Sequence, residues 1–335
     1  MSSLRIPKEY QPVLSAYETQ SAIGCLKRCF EDKLSSAVCL KRVSAPLFVE
    51  PKTGLNDDLN GVERPVAFDI METKTDAQIV HSLAKWKRMA LHRYQFPIGE
   101  GLYTDMNAVR RDEEMDNLHS IYVDQWDWEK VIGIEQRTEQ YLKDTAVSIV
   151  NAICDTAEAL HKEFPALPVK LSRGVHFVTT QQLEDIYPSM SPKEREDAYV
   201  KEHKTAFIMQ IGGLLQSGIR HDGRAPDYDD WSLNGDIVFW NDVLECAYEV
   251  SSMGIRVDAK AMDTQLKAAG CDDRRALPFH KMLLEGKLPF TIGGGIGQSR
   301  LCMLLLGKAH IGEVQVSIWD SATIEGCKAA GITLL

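Results

Sequence analysis

Apolar residues recur at helical spacing between positions 11 and 34, where Leu14, Ile23, Leu26, Phe30 and Leu34 fall roughly on one face. A longer stripe of the same period, Leu142, Ala146, Ile149, Ile153, Leu160 and Phe164, predicts a helix over 135–164 that ends near Pro165. Elsewhere the pattern shortens to the compact β-branched runs of strands. Residues 37–50 read as a strand broken by Pro46, whose nitrogen has no hydrogen to donate, and 66–70 as another. Asn56-Asp57-Asp58-Leu59-Asn60-Gly61 between them is a turn. Residues 78–91 predict a short strand running into a helix. Further strands are expected at 102–109, 120–128, 175–179, 206–211, 237–240 and 247–257, and helices at 258–270 and 274–286. A glycine-rich turn then leads into the apolar run 301–306. The strands come in adjacent groups and do not alternate strictly with helices. That favours an antiparallel or mixed sheet with helices packed against it, an α+β fold, over a doubly wound one.

Composition narrows the class. The 335 residues hold no low-complexity tract, internal repeat or long Pro/Gly/Ser linker. Residues 1–335 are therefore expected to be one domain, with a helix in 1–35 packed on its core. Hydrophobic residues make up 44%, enough to fill such a core. The formal net charge of −10 argues against a protein that clamps a nucleic-acid backbone over a broad surface. No apolar run nears the roughly 20 residues of a membrane span. Residues 1–11 carry charges and a proline but no apolar stretch of a leader. Eight cysteines are scattered without a Cys-x-x-Cys, which fits reduced thiols and a cytoplasmic protein. Cys25 and Cys29 have helical i,i+4 spacing, but the sequence offers no further ligands for a metal there.

Six segments carry candidate chemistry. Thr291 to Arg300 places Gly293, Gly294, Gly295 and Gly297 before a helix. Glycines there let a backbone approach a flat ring or a phosphate, and Arg300 adds a planar cation. The spacing is neither a Rossmann nor a Walker A pattern. Arg110, after the strand 102–109, can meet a phosphate bidentately, although Arg110-Arg111-Asp112-Glu113 alone reads as a solvated charge run. In the strand 120–128, alternation puts Ser120, Tyr122, Asp124, Trp126 and Trp128 on one face and Gln125 and Asp127 on the other, where they suit an ammonium group. Ser82-Leu83-Ala84-Lys85-Trp86-Lys87-Arg88 reads, in isolation, as a basic helix face. Residues 220–236 form a turn-rich segment dense in Asp and Arg, fit for a cation or an amine. In 249–256, regular alternation would align Glu249, Ser251, Met253 and Ile255, with Gly254 a possible break. Glu249 and Ser252 supply oxygen ligands suited to Mg²⁺.

Arg110, then Glu249 and Arg256 seven apart, then Gly293-x-Gly295-x-Gly297-x-x-Arg300, occur in that order. This resembles the ATP site of class II aminoacyl-tRNA synthetases, the aspartyl branch above all. The stretches 81–88, 99–103, 122–128, 224–231, 234–237, 251–258 and 291–301 are similar to those of the ammonia-dependent aspartate–ammonia ligases. That likeness runs from about residue 10 to the end. It implies a mostly antiparallel sheet of seven or eight strands flanked by helices, and a homodimer. It also implies synthesis of L-asparagine from L-aspartate, ammonia and ATP through a β-aspartyl adenylate, releasing AMP and pyrophosphate. By the same resemblance Arg110, Arg300 and the glycines serve ATP. Asp236, Glu249 and Ser252 surround Mg²⁺. Gln125 and Asp127 take the amino group of aspartate, and Arg256, with Lys87, Ser120 and Ser251, holds the rest of that substrate. Asp57 and Asp229 are the candidates to deprotonate ammonium, with Asp58 an alternative to Asp57. The rivals are an aspartyl- or asparaginyl-tRNA synthetase core and a non-catalytic paralogue. Only about 35 residues precede the first core strand, too few for an anticodon-binding barrel, and the acidic charge disfavours tRNA as a partner. A glutamine-using amidotransferase would need a nucleophilic cysteine that the sequence does not offer.

Overall fold

The computed structural model describes residues 4–59, 63–167 and 171–335, so Asn60 and Gly61 of the predicted turn lie outside the described residues. In chain order the elements are α1 (Ala16–Val38), β1 (Leu40–Arg42), β2 (Phe48–Val49), β3 (Ala67–Ile70), β4 (Thr75–Ile79), α2 (Ala84–Arg93), β5 (Gly101–Val109), β6 (Tyr122–Val131), α3 (Glu139–Glu163), β7 (His176–Thr179), α4 (Thr180–Ile186), α5 (Pro192–His203), β8 (Thr205–Met209), β9 (Asp229–Asn241), β10 (Cys246–Arg256), α6 (Ala259–Ala269), α7 (Pro278–Leu284), β11 (Thr291–Gly297), α8 (Gln298–Leu305) and α9 (Ser321–Ala329). Eight strands form one sheet in the order β1-β5-β6-β11-β10-β9-β8-β7. Its interior pairings are antiparallel, and only the edge pairs β1–β5 and β7–β8 are parallel. The expected α+β class holds, with a sheet that is mixed at its two rims. The strand expected over 37–50 is two strands. β1 joins the large sheet, whereas β2 pairs with β4 in a separate three-stranded sheet. Pro46 lies in the link between them, where its missing donor does no harm.

Local signals place the long helices. α1 opens on a capping box in which the Ser15 side chain accepts from the Glu18 N–H and Glu18 reaches back to the Ser15 N–H. α3 starts at Glu139, later than the apolar stripe alone suggests, because Thr138 caps it through the Tyr141 N–H. The buried stripes of α1 and α3, together with α8, cover one face of the large sheet. Phe30 of α1 meets Trp126 of β6 at 4.7 Å between ring centroids. Each such fully buried side chain contributes roughly 1.5–3 kcal/mol. The opposite face is covered at one side by α2 and at the other by α4 and α5, which pack on β7, β8 and β9. Between these supports the centre of that face, over β6, β11 and β10, stays open to a cavity.

Candidate active site

β11 is the floor of the site. The register sets Gly293, Gly295 and Gly297 beside Glu129, Asp127 and Gln125 of β6, on the face away from the α1–α3 core. A Cβ at Gly293 would lie 2.7 Å from a guanidinium nitrogen of Arg256 and 2.8 Å from the Trp128 carbonyl oxygen. Gly294 faces the core, where a Cβ would come within 2.7 Å of Met253 Cβ. None of these four glycines has a positive φ. They are extended strand residues that let neighbouring side chains close in, so the tight turn expected there does not form and β11 runs directly into α8. The N-terminus of α8 is not open to an anion either, because the Ser299 N–H donates to Asp124 Oδ1 at 3.0 Å.

A bulge in β10 between Glu249 and Ser251 resets the alternation. Ser251 consequently pairs with the core residues Ile237 and Ile296, and its hydroxyl is buried without a partner. Glu249 and Ser252 turn to the open face and line the cavity. The structure does not bring Ser251, expected in the substrate site, to the cavity: one extra residue in the strand puts Ser252 on that face instead.

The cavity holds about 410 Å³, within the range of small-molecule sites, and Arg110, His119, Gln125, Arg224, Glu249 and Arg300 are among its walls. Arg300 Nη1 donates to the backbone carbonyl and to Oε2 of Glu249, at 3.2 and 3.3 Å. Its Nη2 lies 2.7 Å from His119 Nε2, and His119 Nδ1 lies 2.9 Å from Asp116 Oδ1. A guanidinium can only donate, so His119 accepts at Nε2 and gives its Nδ1 proton to Asp116. Arg110 is held far more loosely, by a 3.5 Å contact to the His81 carbonyl and a 4.0 Å approach to Glu113, and its buried Nε has no partner. Arg224 binds Asp236 through Nη2 and Asp222 through Nη1. Burial pushes the Asp236 carboxyl up to about 7 against the pull of Arg224, with Glu249 adding to the rise. Glu249 moves the other way: burial opposes its charge, but Arg300 and Arg224 hold it below the usual carboxylate range. Ser120 lines the far wall, where its hydroxyl donates to Ser317.

On the same face of the sheet, beside the cavity, lies a cluster of buried ion pairs. Lys85, Lys87 and Arg88 of α2 are 2%, 1% and 3% exposed, so the run that reads as a solvated basic face is interior. Lys87 Nζ binds Asp127 and the Gly294 carbonyl oxygen, and burial draws its pKa below the usual lysine value despite Asp127. Asp127 also accepts the Leu83 N–H at 3.2 Å. Arg256 is clamped between Asp229 and Glu129, with Tyr228 beside its guanidinium. Asp57 accepts from the Ser82 hydroxyl at 2.9 Å and the Leu59 N–H at 3.0 Å. Burial raises its pKa, Asp227 adds to the rise, and Lys85 opposes it. Asp58 is exposed and paired with Arg274. Gln125, Ser120, Glu249, Ser252, Arg110 and Arg300 thus meet at one cavity, while Asp57, Lys87, Asp127, Asp229, Asp236 and Arg256 are buried around it and are not among its lining residues. His119 and Arg224 were not given roles from the sequence. Arg224 sits in the segment 220–236 and His119 just before the strand 120–128, but only the folded loops show that they face Asp236 and Arg300.

A profile of the aspartate–ammonia ligase family matches residues 17–331. This chain belongs to that family. The protein named aspartate–ammonia ligase in Clostridium tetani is 60% identical over 333 residues, which cover 99% of this chain and 98% of its own length. The one so named in Lactobacillus johnsonii is 57% identical over 335 residues, 99% of this chain and 100% of its own. Among solved structures, the asparaginyl-tRNA synthetase of Pyrococcus horikoshii complexed with asparaginyl-adenylate matches with a TM-score of 0.66 at 13% identity, over 90% of this chain and 68% of that one. That likeness is one of fold. A ligase family and a class II synthetase architecture, both expected from the sequence, are therefore established. Among the described residues no helix is long and apolar enough to cross a membrane, and no three His, Cys, Asp or Glu side chains converge as a ready metal cage.

Proposed function

We propose that this chain makes L-asparagine from L-aspartate, ammonia and ATP through a β-aspartyl adenylate. The observation that carries this reading is the cavity itself, where arginines and carboxylates meet over a glycine floor with an amide, Gln125, at its edge. An oxygen of the aspartate β-carboxylate attacks the α-phosphorus. The new P–O bond replaces the bond to the β-phosphate, and pyrophosphate leaves. Arg110 and Arg300 neutralise the charge that gathers on the phosphoryl oxygens. Arg110 suits this role because so little else holds it. Ammonia then attacks the acyl carbon and AMP departs with the mixed-anhydride oxygen.

Gln125, Lys87, Asp127, Arg256 and Ser120 bind aspartate, with Arg256 on the α-carboxylate so that the side-chain carboxylate faces the nucleotide. Asp57 is the better candidate to take a proton from ammonium. Its carboxyl is raised by burial, whereas Asp229 is committed to Arg256. Asp236, Glu249 and Ser252 fit Mg²⁺: they offer hard oxygen donors, and Asp236 Oδ1 is buried without a partner. Two carboxylates and a hydroxyl make no cage alone, which suits an ion that shares its shell with substrate phosphates. Bound there, Mg²⁺ supplies positive charge to the nucleotide. We further infer a homodimer, supported by the exposed Leu47, Phe48, Phe68 and Met71 on and beside the small sheet. A cytoplasmic setting suits eight cysteines that are all free.

Purified protein given ATP, Mg²⁺, aspartate and ammonium is expected to release asparagine and AMP in equal amounts. ADP as the second product overturns the adenylate route, and aspartate transferred to tRNA overturns the reading as a whole. In the same assay Asp57→Asn is expected to keep aspartate-dependent pyrophosphate–ATP exchange while asparagine formation falls by about 10²-fold or more. Equal losses in both reactions would remove Asp57 from the ammonia step.

A further inference from the structure

Arg224 lies against Asp236, one of the carboxylates assigned above to a divalent cation. Asp236 of β9 pairs directly with Ser252 of β10, and Glu249 pairs with Val238, two residues along from Asp236 on the same face. The two carboxylates are thus diagonal neighbours, and the field of both falls on the Arg224 guanidinium, with that of Asp222. Arg224 is also a wall of the nucleotide cavity and only 14% exposed at its side chain. Its Nη2 takes Asp236 Oδ2, and its Nη1 takes the Gly223 carbonyl at 3.0 Å and Asp222 Oδ2 at 3.3 Å. Asp236 Oδ1 is left buried and without a partner.

The Arg224 guanidinium and a magnesium ion compete for Asp236, since both are cations and would lie a few ångströms apart in a poorly screened site. The segment that carries Arg224 lies outside the helices and strands and is preceded by Gly223. Phosphate oxygens of a nucleotide bound in the adjoining cavity would offer the guanidinium fork a second pair of acceptors.

We propose that Arg224 is the resident counter-ion of Asp236 in the nucleotide-free protein, and that it exchanges this carboxylate for nucleotide phosphates when metal and ATP enter together. The proposal rests on the assignment of Asp236 and Glu249 to the metal. Its consequence is a coupling. Metal alone must displace a bound cation and binds weakly, whereas the metal–nucleotide pair provides the displaced arginine with new partners. By linkage, metal and nucleotide raise each other's affinity by the same factor.

Binding of Mn²⁺, read by electron paramagnetic resonance of the free ion, tests this with and without a non-hydrolysable ATP analogue. In the wild type, Mn²⁺ alone is expected to bind weakly and the analogue to strengthen it. In Arg224→Gln, Mn²⁺ alone is expected to bind about tenfold or more tightly than in the wild type, and the strengthening by analogue to shrink by a similar factor. Arg224→Lys keeps the charge without the fork, so Mn²⁺ alone is expected to stay weak. Unchanged Mn²⁺ affinity in a folded Arg224→Gln protein, with Asp236→Asn abolishing binding, overturns the exchange and leaves the metal site standing. Mn²⁺–analogue binding that survives Asp236→Asn overturns both. Should Arg224→Gln fail to fold, a crystal structure of the wild type with Mn²⁺ and the analogue decides: Arg224 still on Asp236 refutes the exchange.

Discussion

Replacing Arg300 by alanine is expected to lower asparagine formation by about 10³-fold or more while the protein stays folded. Removing one positioned donor from a developing oxyanion typically costs about 10²–10³ in rate, and Arg300 brings a full charge as well as a fork of donors. It also links two other wall residues, bonding Glu249 on one side and His119 on the other. Stability should move little. The Arg300 side chain is 22% exposed at the cavity, so its loss leaves a wet gap rather than a dry void. Glu249 keeps the attraction of Arg224, and a partly exposed ion pair of this kind is usually worth no more than about 1 kcal/mol. Arg300→Lys should recover only part of the rate, because a lysine is a point charge without the planar fork. The check is the rate of pyrophosphate–ATP exchange together with the thermal unfolding midpoint. Activity within tenfold of wild type would take Arg300 out of the nucleotide site, and a collapsed midpoint would make its role structural.

Much of this fold is legible in the chain because the periodicities are long. The stripe of α3 and the alternation of β6 put Trp126 and Trp128 in the core and Gln125 on the cavity face, as the pattern alone implies. What escapes a sequence reading is decided by contacts between distant segments. Four glycines within five residues look like a turn, because glycine is the residue of turns. Here Gly293, Gly294 and Gly295 are demanded by Arg256, Met253 and Gln125 crowding an extended strand. Lys85, Lys87 and Arg88 of α2 look solvated, because lysine and arginine are almost always exposed. Their partners Asp227 and Asp127 lie 142 and 40 residues away in the chain, and the acceptors of Arg88 sit 169 and 201 residues on. The choice of Ser252 over Ser251 rests on a single bulge, and a one-residue slip exchanges the two faces of a strand. Arg224 and His119 were visible as residue types, but their geometry belongs to loops that carry no period.

Arg256→Met is expected to cost about 3–5 kcal/mol of stability and, in whatever remains folded, to abolish measurable aspartate binding. The guanidinium is 3% exposed and faces two carboxylates, Asp229 and Glu129. Burial alone would weaken its charge, yet these acids hold its pKa well above the ordinary arginine value. Removing the cation strands two anions in a low-dielectric interior, which is far more damaging than losing the pair as a unit. The size of the loss should therefore depend on the acids left behind. Adding Asp229→Asn to Arg256→Met is expected to recover part of the stability, since one of the stranded charges is gone. A strictly additive double variant would show that the two residues are not coupled. Arg256→Lys separates structure from substrate. A buried ammonium still answers both carboxylates, so denaturant unfolding should shift less than for methionine, but the fork proposed to grip the α-carboxylate is lost and the KM for aspartate should rise by about tenfold or more. A lysine variant with unaltered aspartate KM would leave Arg256 as a pillar of the β10–β6 layer alone, and another cation, Lys87 above all, would have to hold the substrate.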